Sequence, residues 1–172
     1  MRSITLADGR ALSVRAVGPQ DADAVQGFVR GLSRRARIQR FFSPIQELTP
    51  RQLERALSGE GLHLAALDSD GGIVALAQYA LDDLPGTPGQ VRTSSPQAEF
   101  GVVVADAWQH HGIGGRLMQV LLDEARRSGI ARLGGVTQMD NDPMRLLARK
   151  LGFVFRRDED PCLVRMELGL AS

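Results

Sequence analysis

The 172-residue chain carries 21 Lys and Arg against 20 Asp and Glu, a formal net charge of +1, so its overall charge gives no reason to expect a nucleic acid or membrane partner. Its length suits one well-buried core, and a single domain over residues 1–172 is the expectation. The sole cysteine, Cys162, excludes an intramolecular disulfide or cysteine zinc cluster and fits a reducing cytoplasm; no apolar run nears the roughly 20 residues of a membrane span, and the first residues lack the apolar core of an export signal.

In chain order, residues 2–7 and 11–17 flank Asp8-Gly9-Arg10, a hairpin signal. Gly18-Pro19 breaks the second strand. Asp21 or Asp23 is placed to cap a helix from Ala24 to Leu32, in which Val25, Phe28, Val29 and Leu32 share one face. Ser33 caps the arginine-rich SRRARIQRFF, read as a solvated basic face anchored by Phe41 and Phe42, with contact to an anionic partner as the competing reading. Thr49-Pro50 starts a helix from Arg51 to Leu57. His63 to Leu67 and Ile73 to Leu81 form a second hairpin around Asp68-Ser69-Asp70-Gly71-Gly72. His63, a lone histidine at a strand start, reads as structural rather than catalytic. Residues 82–96, with their prolines and glycines, predict a loop bordering a substrate site.

The stretch EFGVVVADAWQHHGIGGR, Glu99 to Arg116, dominates the second half. Phe100 to Val104 suits a buried strand, and Gly112, Gly114 and Gly115 precede an amphipathic helix from Gly114 to Ser128. Ile113, Leu117, Val120, Leu121 and Ala125 mark its buried side, and Gly129 stops it. Bare amides at such a helix start attract anions. Trp108 reads as packing at the loop. Ala131 to Gln138 is the next strand; Asp142-Pro143 opens a helix with Met144, Leu147, Ala148 and Leu151 on one face; Phe153 to Arg156 and Cys162 to Leu168 close the chain as strands, with Cys162 a small buried hydrophobe.

Strand, loop Gln109-His110-His111-Gly112-Ile113-Gly114 and helix together resemble the acetyl-CoA signature Q/R-x-x-G-x-G/A of the GNAT N-acetyltransferase superfamily. Asn141, followed by a helix ending in Lys150-Leu151-Gly152-Phe153, resembles its second landmark. VRAVGPQDADAV, RFFSPIQELTP and AEFGVVVADAWQHHGIG look like the acetyltransferase domain of bacterial protein lysine acetyltransferases. The resemblance covers nearly all of the chain. It implies an α/β (α+β) fold, a central mixed, mostly antiparallel sheet flanked by helices, with acetyl-CoA as co-substrate and no metal.

By the same resemblance, Gln109, His110, His111, Gly112, Ile113, Gly114, Gly115 and Arg116 bind the cofactor, the amides of His111 to Arg116 holding the CoA pyrophosphate, aided by a helix dipole of about half a positive charge. Val102, Val103 and Val104 pair with the pantetheine arm, an amide near Val103 or Val104 polarises the thioester carbonyl, and Asn141 belongs to the same cofactor site. An amine of pKa near 10.4 costs about 4.6 kcal/mol to deprotonate at pH 7. Glu99 matches the family's general base, and burial at a strand start is expected to raise its proton affinity. One departure stands out. The tyrosine that many members use to protonate the leaving thiolate is replaced by Ala148, and the only tyrosine, Tyr79, lies on an earlier strand.

The resemblance makes a protein lysine the leading acceptor. A small-molecule amine (polyamine, amino acid or antibiotic), suited by Asp82 and Asp83, is the alternative, as is a non-catalytic acyl-CoA-binding sensor. Neither nucleic acid nor membrane is expected as a partner, and the chain is expected as a monomer or homodimer.

Overall fold

The structure is a computed structural model that describes residues 2–81 and 96–170. Most of the expected loop at 82–96, with Asp82 and Asp83, therefore lies outside the described residues. In chain order the elements are β1 (Arg2–Thr5), β2 (Ala11–Ala16), α1 (Ala22–Gly31), α2 (Arg34–Phe41), α3 (Pro50–Ser58), β3 (Gly61–Leu67), β4 (Ile73–Leu81), β5 (Gln97–Val104), α4 (Ile113–Arg127), β6 (Arg132–Gln138), α5 (Asp142–Lys150), β7 (Val154–Arg157) and β8 (Leu163–Gly169).

The described strands form one 8-stranded sheet in the order β1-β2-β3-β4-β5-β6-β8-β7. Every neighbouring pair is antiparallel except β5 with β6. This is the mixed, mostly antiparallel sheet that the sequence implied. The single parallel junction follows from chain logic, because β5 returns to the sheet through α4, as a parallel crossover requires.

Alternation along β5 divides the molecule. Ala98, Phe100, Val102 and Val104 join the core beneath α4, where Leu117, Met118, Leu121, Leu122 and Ala125 are fully buried. On the opposite face Val103 packs with Val25, Phe28, Val29, Leu32 and Ala36 of the α1–α3 layer. Removing a side chain such as Leu121 from the first core costs about 2–5 kcal/mol.

Several helix starts match the expected chemistry. The Ser33 hydroxyl accepts from the Ala36 amide at 3.1 Å, and Thr49 and Gln52 cap α3 reciprocally at 2.8 and 3.3 Å. The first helix differs. A 3₁₀ turn, Pro19–Asp21, precedes α1, and Asp21 is no side-chain cap for it. Its carboxylate instead accepts from the Gly18 amide at 3.0 Å and from both Arg15 guanidinium nitrogens at 2.9 and 2.7 Å. A bidentate guanidinium outcompetes loose amides for a buried carboxylate. Cys162 also departs from expectation: it is exposed, in the β7–β8 connection. Among the described residues no helix is long and apolar enough to cross a membrane.

Candidate active site

The site begins where β5 and β6 part. They pair only at Gln97–Arg132, Ala98–Leu133 and Glu99–Gly134, while β5 stays paired to β4 through Val104. Beyond Glu99 one edge of β5 has no partner strand. The ring of Phe100 sits at the fork: a Cβ on Gly135 would lie 2.7 Å from it, and its centroid is 5.0 Å from that of Phe153. Glycine at 135 is what lets the ring cover the backbone there.

Hydrogen-bond alternation tells which β5 groups face the opening. The Ala105 amide donates to the Val74 carbonyl of β4 at 2.9 Å, and the Ala131 amide donates to Pro96 at 2.9 Å, so odd residues face β4 and even ones face β6. The backbone groups of Val102 and Val104 therefore open into the cleft. Those of Val103 are spent on β4, which corrects the expectation that a Val103 amide could reach a ligand. The Val104 carbonyl is itself occupied, accepting from the Gln109 side chain at 3.1 Å.

The cleft, about 800 Å³, continues to the start of α4. Gly112 holds φ +76 there, and neither a side-chain cap nor an acidic residue occupies the first turn. Ile113, Gly114 and Gly115 keep amides without a helical partner, whereas the Arg116 amide already donates to the Gly112 carbonyl at 3.2 Å. Arg116 thus falls outside the expected donor set. A Cβ at Gly114 or Gly115 would make only ordinary contact with Leu147 of α5, at 3.5 and 3.4 Å, so packing against α5 does not by itself require glycine at either position. His110 has φ +64, lines the cleft and is exposed. His111 lies outside the lining, its Nδ1 3.7 Å from Asp8. Arg10 of the same hairpin stacks on Trp108 at 4.4 Å, bracing the loop from outside.

Two further contacts fix the walls. Asp106 accepts from the Ser33 amide and hydroxyl at 2.8 and 2.6 Å, tying the loop to the start of α2. Desolvation pushes this carboxyl up, but the Ser33 hydrogen bonds outweigh it and hold Asp106 below the usual range. Asn141 is buried on the cleft wall, donating to Thr137 Oγ1 at 3.1 Å and accepting from the Met144 amide at 3.3 Å as the cap of α5.

On the α1–α3 side the lining includes Gln39, Arg40, Gln52, Arg55, Gln78 and Glu99. Glu99 stands at the fork and is exposed, so the burial expected of it is not found. Arg40 departs from the solvated face expected of SRRARIQRFF. Instead its guanidinium lies on Gly101, where a Cβ would come within 2.6 Å of it. Desolvation holds it below the usual arginine range, with the Glu99 carboxylate pulling the other way. Arg37 also turns inward, donating to the Leu32 and Arg30 carbonyls at 2.6 and 3.1 Å. A bare Gly101 between Phe100 and Val102 was the one sequence signal that something must fill its place.

An unpaired strand edge leading to an uncapped helix start is a donor set for an extended ligand with an anionic end. The model of the acetyltransferase (GNAT) family matches residues 32–153. The chain belongs to that family. An acetyltransferase of Pseudomonas aeruginosa is 31% identical over 162 residues, covering 91% of this chain and 82% of the relative. The GNAT domain of S. lividans PAT superimposes with TM-score 0.87 at 26% identity, covering 98% of this chain and 96% of that domain. A Salmonella typhimurium acetyltransferase determined with its cofactor acetyl-CoA superimposes with TM-score 0.70 at 22% identity, over 94% and 95% of the two chains.

GNAT acetyltransferases take their acetyl group from acetyl-CoA, and the donors of Val102, Val104 and residues 113–115 suit such a thioester. In this acetyltransferase Ala148 is fully buried, while Tyr79 donates to Ser128 Oγ at 3.2 Å on the α4 side, away from the cleft. Neither replaces the family's tyrosine.

Proposed function

We propose that this N-acetyltransferase passes the acetyl group of acetyl-CoA directly to a primary amine, with a protein lysine as leading acceptor and Glu99 receiving the amine's proton. The observation that carries this reading is the fork: Glu99 stands at the last paired position, one residue before the open edge of β5. Val102 and Val104 amides on that edge are the donors we assign to the thioester and pantetheine, and the 113–115 amides to the pyrophosphate. The amine nitrogen bonds to the acetyl carbon as the carbon–sulfur bond breaks, and the nitrogen's proton passes to Glu99 directly or through water. A thiol of pKa near 8.5 leaves without a dedicated acid, so Ala148 is compatible with turnover. The lysine acceptor is supported by likeness to the S. lividans PAT domain.

The test is thiol release from acetyl-CoA with a panel of amines and lysine-bearing proteins, repeated with Glu99→Gln. Turnover that collapses in the variant supports the reading. Full rate in Glu99→Gln would remove Glu99 from the mechanism, and failure of every acceptor would leave an acyl-CoA-binding protein.

A further inference from the structure

Across the sheet from α4, one row of positions is unusual. His63, Gln78 and Gly101 are directly opposite one another on β3, β4 and β5, so their side chains share one face. The missing side chain at Gly101 is replaced by the Arg40 guanidinium. Behind it, His63 is only 8% exposed and neither ring nitrogen has a hydrogen-bond partner; Gln78 lies near without reaching bonding geometry. Arg40 donates no hydrogen bond and joins no ion pair among the described residues; it stacks on Phe41 at 5.1 Å. A desolvated guanidinium with no hydrogen-bonded counter-charge is costly. Among the described residues of the lining, Glu99 is the only acid, and its carboxylate favours the Arg40 charge.

We propose that the amine acceptor carries a carboxylate-type anion close to its reacting nitrogen, and that Arg40 holds this anion while Glu99 faces the amine. The inference rests on the acetyl-transfer reading above and narrows its substrate class. Arg40, seated at Gly101, and Glu99, two residues away on the same face of β5, offer opposite charges that attract each other without forming a close ion pair among the described residues. That pattern complements a zwitterion better than a lone cation. The anion can be the acceptor's own carboxylate, as in an amino acid, or an acidic side chain beside a lysine in a protein.

Two matched pairs of acceptors separate these sources: free amino acids against their amides, and lysine peptides with Asp against Asn beside the lysine. With wild type, kcat/KM is expected to favour the charged member of one pair by about tenfold or more, and the pair that responds names the source. Arg40→Gln should bring that preference to about one, chiefly through KM, with Arg40→Lys retaining part of it and Gly101→Ala, which displaces the guanidinium, losing part. Equal use of both members by wild type, or an Arg40→Gln loss that falls equally on both, overturns the proposal. Melting of the CoA-bound protein with the same probes gives a readout free of turnover. An Arg40-dependent rise with the acids alone upholds the inference even if no acetyl is transferred, an outcome that would sink only the catalytic reading. No rise and no preference would sink the inference.

Discussion

The Gln109 side-chain amide reaches back 3.1 Å to the Val104 carbonyl, locking the glycine loop to the end of the open strand. It occupies the Val104 carbonyl and leaves the Val104 amide as a donor. Gln109→Leu should therefore loosen the loop without unfolding the domain. One such hydrogen bond contributes about 1 kcal/mol, so KM for acetyl-CoA should rise about fivefold, read by steady-state kinetics beside an unchanged circular dichroism spectrum.

Glu99→Gln keeps the shape of the fork and removes the proton acceptor. General-base assistance contributes about 10²–10⁴-fold. The variant should lose that much kcat while acetyl-CoA still raises the melting temperature as in wild type; a loss of ligand stabilisation would mark Glu99 as a binding residue.

His63 makes stability depend on pH. Burial lowers its pKa from the ordinary 6.5, with the nearby Gln78 side chain pulling the other way and the Arg40 charge adding to the fall. The unfolded chain then binds a proton that the folded one refuses. The stabilisation is fully present above about pH 6.5 and is lost as the pH falls from there towards the lowered folded value. His63→Leu should flatten the pH dependence of melting in that window and leave stability at pH 8 equal or higher; an unchanged slope would assign the dependence elsewhere.

Asp21 is 7% exposed and carries the Arg15 fork and the Gly18 amide. Those contacts, the Arg15 hydrogen bonds foremost, hold its carboxyl below the ordinary 3.8. The stabilisation is therefore present above that value and disappears as pH falls through the lowered folded pKa. Asp21→Ala should cost about 2 kcal/mol at neutral pH in chemical denaturation and leave acetyl-CoA affinity untouched, since the pair lies outside the cleft.

Much was legible locally because the responsible interactions are local. The Ser33 and Thr49 caps, the Asp8-Gly9 hairpin and the helix face of Leu117 and Leu121 each depend on residues a few positions apart. The order of strand, glycine loop and helix also came from the chain alone, whereas the role expected of Glu99 came from the family resemblance. Fates decided by distant partners were not legible. Asp21 left its helix for Arg15, Cys162 stayed exposed on a connection, and Arg40 left the solvated face because Gly101, far along the chain, makes room for it.

The opening stretch, Glu99 to Arg116, shows the division most clearly. Its sequence by itself determined a buried strand, a glycine-rich loop and a bare helix start, since side-chain character and glycine placement are properties of the chain. Only the tertiary structure decided which amides face a ligand. That depends on β6 leaving β5 after Glu99, with Phe100 seated on Gly135; Val102 and Val104 open to the cleft, Val103 is paired to β4, and the Arg40 guanidinium lies on Gly101.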